Sequence, residues 1–361
     1  MKIPTMITEI EEVPAIMVGD YKLQFELGEP CERTKEVALR ELRETPENIQ
    51  KGTAELKKLL DKNKIKMSSE IKTGELTLKL EVSEPRAETQ KKALQELRET
   101  PENVQTGLKE LKKLLQAESD LNIPKTNDEW LMKYLRVCHF YAESARDLIR
   151  RYHSLQLKYY EITNLLIPSK LKAIFDANLV YILPQRDQHG RRIVVSIGGK
   201  QWDPKLISID DIFSASTLCS ELLQLEPETQ INGIVYIMDM QGLTLGRALH
   251  YTPYRTKRLL DYLQINVPVR VKGFHVVNQP KIFQPIYAAA KPFFSTKFAK
   301  RIVLHGSNFE SLHQYITPEC LPDCYGGFLK TDVRYSDETY KLLSQHEKYF
   351  ETLQLYGFKK S

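Results

Sequence analysis

Apolar positions along this chain change their period from one region to the next. They alternate at Tyr21, Leu23, Phe25 and Leu27, the two-residue period of a strand, and the same alternation returns at Leu76, Leu78, Leu80 and Val82. Each alternating run leads into two short helical patterns. In the second, Thr100 fits an N-cap, Pro101 the first helical position, and Val104, Leu108, Leu111 and Leu115 one apolar stripe. From Thr126 to about Glu161 the pattern stays helical, with Trp130, Leu131, Tyr134 and Leu135 on one element and Ala145, Leu148, Ile149 and Tyr152 on the next. Farther on the periods interleave. Strands are predicted near Leu179–Leu183, Ile193–Ile197, Ile234–Asp239, Lys272–Val277 and Ile302–His305, and helices near Ile209–Leu225, Leu245–Gln264 and Pro280–Phe293. Such interleaving predicts an α/β fold, a sheet covered by helices, preceded by a small all-helical lobe. Pro184–Gly190 reads as a hairpin turn, and the polar tail after Gly327 is expected to end in a mobile segment.

The two alternating regions are copies of one segment. Tyr21–Leu60 matches Leu76–Leu115 at an offset of 55, with Glu41-Leu-Arg-Glu-Thr-Pro-Glu-Asn48 repeated unchanged as Glu96–Asn103. The first copy has Thr53 where the second has Leu108, and it runs into the polar stretch Asp61–Ser69; the second continues directly into the helical lobe. Two copies are too few for a solenoid. The pattern fits either a duplicated segment whose first copy is an add-on, or a second packed part of the helical lobe. The expected organisation is an extension over residues 1–75, the second copy with the lobe over 76–165, a main α/β domain over 166–330 and a tail over 331–361.

Composition narrows the class. With 361 residues, 42% hydrophobic and 27% charged, the chain can bury a sizeable core. Its start, Met1-Lys-Ile-Pro-Thr-Met-Ile-Thr-Glu-Ile-Glu-Glu12, lacks the build of a secretion signal, and the longest apolar runs, Ile234–Met238 and Pro285–Ala290, are far short of a membrane span. The expected location is the cytoplasm, with any membrane contact peripheral. Cys31, Cys138, Cys219, Cys320 and Cys324 are odd in number and scattered, which suits reduced thiols; the loose Cys320/Cys324 spacing has no second ligand pair, so no metal is expected.

The charge is local. Tyr251–Arg301 holds ten Lys and Arg against the single acid Asp261, so this segment carries +9 of a chain whose net charge is +5, and the remainder sums to −4. Within it an apolar strand around Val271–Val277 feeds a helix with Ile282, Phe283, Ile286, Tyr287 and Ala290 on one stripe. A basic patch beside an amphipathic helix points to an anionic surface, and the apolar face favours lipid over nucleic acid.

These residues resemble the lipid-exchange loop and gate helix of the CRAL-TRIO family, and within it the tocopherol-transfer branch. Further matches keep family order from roughly Thr100 to Phe328: Trp130-Leu-Met-Lys-Tyr-Leu-Arg136, Trp202-Asp-Pro-Lys205, Asp211-Ile-Phe213 with Ser216 and Ser220-Glu-Leu, Asn232-Gly-Ile234 to Asp239, and Leu321-Pro through Tyr325-Gly-Gly327. The resemblance implies a CRAL-TRIO-type sheet and helices enclosing an apolar pocket for one hydrophobic ligand, tocopherol-, retinoid- or isoprenoid-like, with a phospholipid as the alternative. Carried over by position, the pocket falls on Phe213, Ser216, Ser220, Ile234, Met238, Tyr262, Leu263, Val267, Val271 and Phe274, with Phe283 and Ile286 on the gate. Met238 stands where the tocopherol pattern has an aromatic, Tyr262 where it has a small aliphatic and Phe274 where it has an aliphatic, exchanges that alter cavity shape. The two serines either meet a ligand hydroxyl or water, or bond back to carbonyls of their own helix. The phosphoinositide-binding cations of the family fall on Arg270, Lys272, Lys297 and Arg301, with Arg136 a further position. The implied partners are a small hydrophobic lipid and an anionic phosphoinositide membrane, the implied state a monomer, and a scaffold without ligand transfer is the rival reading.

Catalytic signatures are missing. There is no Gly-x-Gly-x-x-Gly after a strand, no Gly-x4-Gly-Lys-Ser/Thr, no Gly-x-Ser-x-Gly and no His-Glu-x-x-His, so neither an enzyme nor a cofactor is expected. Asp239 is expected to fix the turn toward Gly242, and His275 and His305 to be structural.

Overall fold

The alternating segments pair into hairpins. The structure is a computed structural model that describes residues 15–18, 21–24, 70–73, 76–265, 267–330 and 334–359, and the chain divides into two compact units, Met1–Lys66 and Met67–Ser361. In the first, β1 (Ala15–Val18) and β2 (Tyr21–Gln24) run antiparallel with Ala15 opposite Gln24. The helices expected in the first repeat copy, with Cys31 and Thr53, lie outside the described residues.

The second unit opens with the hairpin of β3 (Glu70–Thr73) and β4 (Leu76–Lys79), followed by α1 (Ala87–Leu97) and α2 (Pro101–Gln116). The Thr100 hydroxyl accepts from the Asn103 N–H at 3.2 Å, and Pro101 takes the first turn, where a missing donor costs nothing. After β5 (Leu121–Asn122) come α3 (Asp128–Val137) and α4 (Ala142–Lys158), which close a helical core of Leu111, Leu115, Leu131, Tyr134 and Ile149.

The sheet follows: β6 (Val180–Ile182), β7 (Arg192–Ile197), α5 (Ile209–Leu223), α6 (Pro227–Asn232), β8 (Ile234–Asp239), α7 (Leu245–Ala248), α8 (Pro253–Ile265), β9 (Val271–Val277), α9 (Phe283–Ala290) and β10 (Ile302–Gly306). Strand order is β10-β9-β8-β7-β6, parallel except for β6, which joins β7 by the expected hairpin. The Asp187 carboxylate shapes that turn by accepting from the His189 and Arg191 N–H groups. At the entry to β8 only glycine fits: Gly233 has φ +91°, and a Cβ there would lie 2.1 Å from the Arg270 carbonyl oxygen. Alternation along the strands sorts two faces. Val194, Tyr236, Met238 and Val276 join the main core, while Ile193, Val195, Val235 and Ile237 pack against Leu312, Ile316, Leu321 and Tyr325.

The second repeat copy is locked onto this sheet unit. Leu78 and Leu80 enter the main core, and Leu97 packs with Ile231. Around them Arg186 pairs with Glu81 at 2.9 Å, Arg192 donates to the Lys79 carbonyl at 2.7 Å, Thr89 donates to Glu228 at 2.7 Å and Arg136 pairs with Glu99 at 2.6 Å. Each of these buried guanidiniums thus has a carboxylate or a carbonyl of the second copy to compensate its burial.

Three expectations need correction. The helix predicted over Leu245–Gln264 is two helices, because Pro253 offers no N–H and Thr252 caps a fresh start by accepting from Arg255 at 3.3 Å. The gate helix begins at Phe283 rather than Pro280, which supplies instead a carbonyl accepting from the Phe283 N–H at 2.9 Å; Lys291–Phe293 tightens into a 3-10 turn. The polar tail is structural: α10 (Tyr335–Ser344) buries Leu342 and Leu343, Phe350 joins the same core, and β11 (Gly357–Phe358) pairs with β5. Thr339 Oγ1 also accepts from the Ile182 N–H at 2.9 Å, blunting the outer sheet edge.

Candidate functional site: an apolar cavity beside a cationic cluster

Helix α5 changes character along one face. Phe213 comes first, then the hydroxyls of Ser216, Thr217 and Ser220, and this face looks across at β8, β9 and α8. Three adjoining cavities open there, of about 350, 410 and 520 Å3 of non-atom space. Phe213 and Leu259 line all three, so these two side chains are the partitions between them. The largest has a fully apolar lining and is closed on one side by Phe283, Ile286 and Tyr287 of α9, and on others by Met238, Phe274 and Val276.

Of the twelve positions carried over for the pocket, the structure brings nine onto these cavities: Phe213, Ser216, Ser220, Met238, Tyr262, Leu263, Phe274, Phe283 and Ile286. Ile234, Val267 and Val271 are buried in the surrounding core and line none of the three. Leu259, Thr217 and Tyr236 line cavities without having been singled out; Leu259 reads as one more apolar residue of α8, and nothing in its spacing sets it apart.

The serines bond back to their own helix, Ser216 Oγ to the Ile212 carbonyl at 3.0 Å and Ser220 Oγ to the Ser216 carbonyl at 2.7 Å. Ser220 also meets the Tyr236 hydroxyl at 2.6 Å. With its own proton committed to the helix, Ser220 accepts from Tyr236, whose phenol burial keeps protonated. The polar strip on the cavity wall is thus internally satisfied and still offers lone pairs to a ligand hydroxyl.

Behind the second cavity stands a buried acid. Glu221 is 1% exposed and accepts on Oε1 from Tyr152 at 2.8 Å and Tyr262 at 2.6 Å, while Oε2 has no protein partner. The unexpected Tyr262 is thereby explained: its ring faces the cavity and its hydroxyl turns to Glu221. Burial, reinforced by that carboxylate, raises both phenols well above their ordinary range. An acid inside the otherwise apolar run of α5 was the available signal. Asp239, by contrast, fixes its turn as expected, accepting from the Gln241 N–H at 2.8 Å and from Tyr325 at 3.0 Å.

The cations gather at the entry of β9. Arg270 donates to the Ile231 carbonyl, Arg301 to the Val271 carbonyl, and Lys272 lies within reach of both charges. Burial lowers the Lys272 ammonium to about 8, and the charge of Arg270 pushes the same way; Arg301 is lowered by burial and then by Arg270. Lys92 of α1, not anticipated, joins them, held to Asn232 Oδ1 at 2.7 Å and lowered by burial with a further push from Arg270. Lys297 is exposed on the short helix Thr296–Ala299 that precedes Arg301. Arg136 is spent elsewhere, bonding Glu99 through Nε and Nη2 and Gln230 through Nη1.

Among the described residues no helix is long and apolar enough to cross a membrane, and no group of three His, Cys, Asp or Glu could hold a metal ion.

Comparison with known proteins finds relatives for most of the second unit. Residues 176–327 match the CRAL/TRIO domain. The chain is 36% identical over 236 residues to human alpha-tocopherol transfer protein-like, covering 65% of this chain and 69% of that one. Human clavesin-2 is 33% identical over 248 residues, covering 67% of this chain and 74% of its own. Among solved structures, the crystal structure of Sfh5 aligns with a TM-score of 0.47 at 15% identity, over 63% of this chain and 81% of that one.

Proposed function

Because the chain belongs to the CRAL/TRIO family, we propose that it is a lipid-transfer protein that docks reversibly on phosphoinositide-containing membranes, opens α9 and exchanges one hydrophobic molecule through the apolar cavity. The observation that carries this reading is the largest cavity, walled by α9 on one side and β9 on the other, with Arg270 and Lys272 at the entry of the same strand. Leu245 and Leu249, one turn apart and 63% and 71% exposed, stand just before Tyr251, which lines that cavity, and they supply apolar surface for the same contact.

Energetics shapes the mechanism. Burying roughly 400 Å2 of ligand is worth about 10 kcal/mol against water, but a lipid leaving a bilayer already has that gain. Extraction therefore depends on fit within the cavity, and release depends on the membrane opening α9. Four cations near an anionic leaflet contribute roughly 4 kcal/mol, enough for reversible docking and too little for permanent anchoring. The hydroxyl strip of Ser216, Ser220 and Tyr236 suits a ligand with one polar group, such as a tocopherol, retinoid or isoprenoid alcohol. Among the described residues that line the cavities, no pair of groups is arranged to attack a ligand, which favours carriage over catalysis.

Incubation with vesicles of a broad lipid extract, followed by mass spectrometry of the re-isolated protein, tests the proposal. One class of lipid should be retained at one molecule per chain. Retention of none, with phosphoinositide vesicle binding intact, would replace transfer by a scaffold role.

A further inference from the structure

The cationic cluster already contains a carboxylate. Glu96 of α1 lies 2.9 Å from Arg270 Nη2 and 3.7 Å from Lys272 Nζ, so one acid is shared by two cations. Burial works against its charge, yet the Arg270 hydrogen bond and the Lys272 charge hold its carboxyl below the usual value. Its charge acts on Lys272 against those of Arg270, Lys92 and Arg301. The cations are anchored from behind: Arg270 by the Ile231 carbonyl, Arg301 by the Val271 carbonyl and Lys92 by Asn232. Glu96 is the loose member, with 44% of its side chain exposed on the surface of α1.

We infer that Glu96 is an internal stand-in for a phosphate monoester: it holds Arg270 and Lys272 until an incoming phosphate displaces it, and Lys92, one helical turn before it, adds a further cation to the same site. The inference rests on the docking proposed above. A phosphate carries nearly two charges and three acceptor oxygens at neutral pH, so it can satisfy the fork of Arg270 and both lysines together, where a carboxylate offers one charge and two oxygens. Glu96 thus sets how strong an anion must be before the site exchanges it, excluding singly charged headgroups while admitting phosphomonoesters.

The test compares wild type, Glu96→Gln and Lys92→Met on phosphatidylcholine vesicles with and without phosphatidylinositol bisphosphate, and on soluble inositol trisphosphate. Wild type that fails to prefer the phosphoinositide vesicles overturns the docking reading itself, and the inference with it. If wild type prefers them, Glu96→Gln should bind roughly fivefold tighter and Lys92→Met roughly fivefold weaker, the effect of one charge at such a surface. Gain on the vesicles alone assigns the site to a lipid headgroup; equal gain on soluble inositol trisphosphate shows that the phosphate group suffices, and either result supports the displacement. The ligand-free Glu96→Gln protein should also melt lower than wild type, because the clustered cations lose their counter-charge. Affinity and stability therefore move in opposite directions, whereas a merely structural Glu96 would lower both. Unchanged or weaker phosphoinositide binding by Glu96→Gln overturns the inference.

Discussion

Removing the second repeat copy should cost the sheet unit its fold, while removing the first should not, and three deletions separate the two. The second copy gives Leu78, Leu80, Leu97, Leu111 and Leu115 to the cores of the unit Met67–Ser361, whereas the first copy belongs to the separate unit Met1–Lys66. Deleting residues 1–66 is therefore expected to leave thermal midpoint and lipid uptake close to those of the full chain. Deleting residues 1–115 removes Leu78, Leu80, Leu97, Leu111 and Leu115, each 1% exposed or less. At about 1.5–3 kcal/mol per buried leucine the loss is roughly 7–15 kcal/mol, comparable to the whole stability of a domain. It also strips Glu81 from Arg186, Glu99 from Arg136 and Glu96 from Arg270.

The third deletion uses the repeat itself. Removing residues 61–115, the 55-residue offset, joins Leu60 to Gln116 and offers the first copy in place of the second. Leu23, Phe25, Leu42, Leu56 and Leu60 then stand for the five lost leucines, and Glu26, Thr34, Glu41 and Glu44 for Glu81, Thr89, Glu96 and Glu99. Among the positions that differ between the copies, those that touch the core and the cationic cluster include Phe25 for buried Leu80, Thr53 for half-buried Leu108 and Val37 for Lys92, so this protein should fold with a deficit of about 1–3 kcal/mol. Thermal and urea unfolding with circular dichroism rank the variants. The reasoning is refuted if the 1–66 deletion loses several kcal/mol, or if the 61–115 deletion is as unstable as the 1–115 deletion.

Other expectations follow from the cavity, the cations and the buried histidines. Leu259→Trp puts bulk at the junction of all three cavities, so lipid uptake should fall at least tenfold while overpacking costs no more than about 3 kcal/mol; normal uptake would show that the ligand lies elsewhere. Reversing Arg270 and Lys272 to Glu should abolish preference for phosphoinositide vesicles, and added salt should weaken wild-type binding. Since Lys272 titrates near 8, wild-type vesicle binding should also weaken between pH 7 and 9, and Lys272→Arg should remove that dependence. His275 donates to or accepts from His305 at 2.9 Å, and burial first, then His305, lowers it to about 3. The unfolded chain therefore binds the extra proton between pH 6.5 and 3, and stability falls on acidification by about 2 kcal/mol from pH 7 to 5; His275→Gln should flatten that slope.

What the sequence disclosed and what it hid divide along the range of the forces involved. Strand alternation, the Thr100 cap and the local excess of cations are set by neighbours in the chain, and each is visible as a period or a count. Lys92 and Glu96 were hidden for the opposite reason. They sit on an amphipathic helix whose charges read as a solvated face, and only the packing of α1 beside α6 places them against Arg270, 174 residues from Glu96. Residues 335–359 misled in the same way, because their polar average concealed three side chains, Leu342, Leu343 and Phe350, that are wholly buried. The gate helix failed differently. Its stripe was legible, but Pro280 fits equally inside a first helical turn or just before one, and the distinction lies in the tight turn that the Phe283 and Gln284 N–H groups close onto the Pro280 and Lys281 carbonyls. Leu259 marks the limit of pattern reading. A side chain that faces a cavity and one that faces the core are both apolar at the same helical spacing, so only the space beside Leu259 separates a pocket wall from filling, and that space exists only where α8 meets α5, β9 and α9 in the fold.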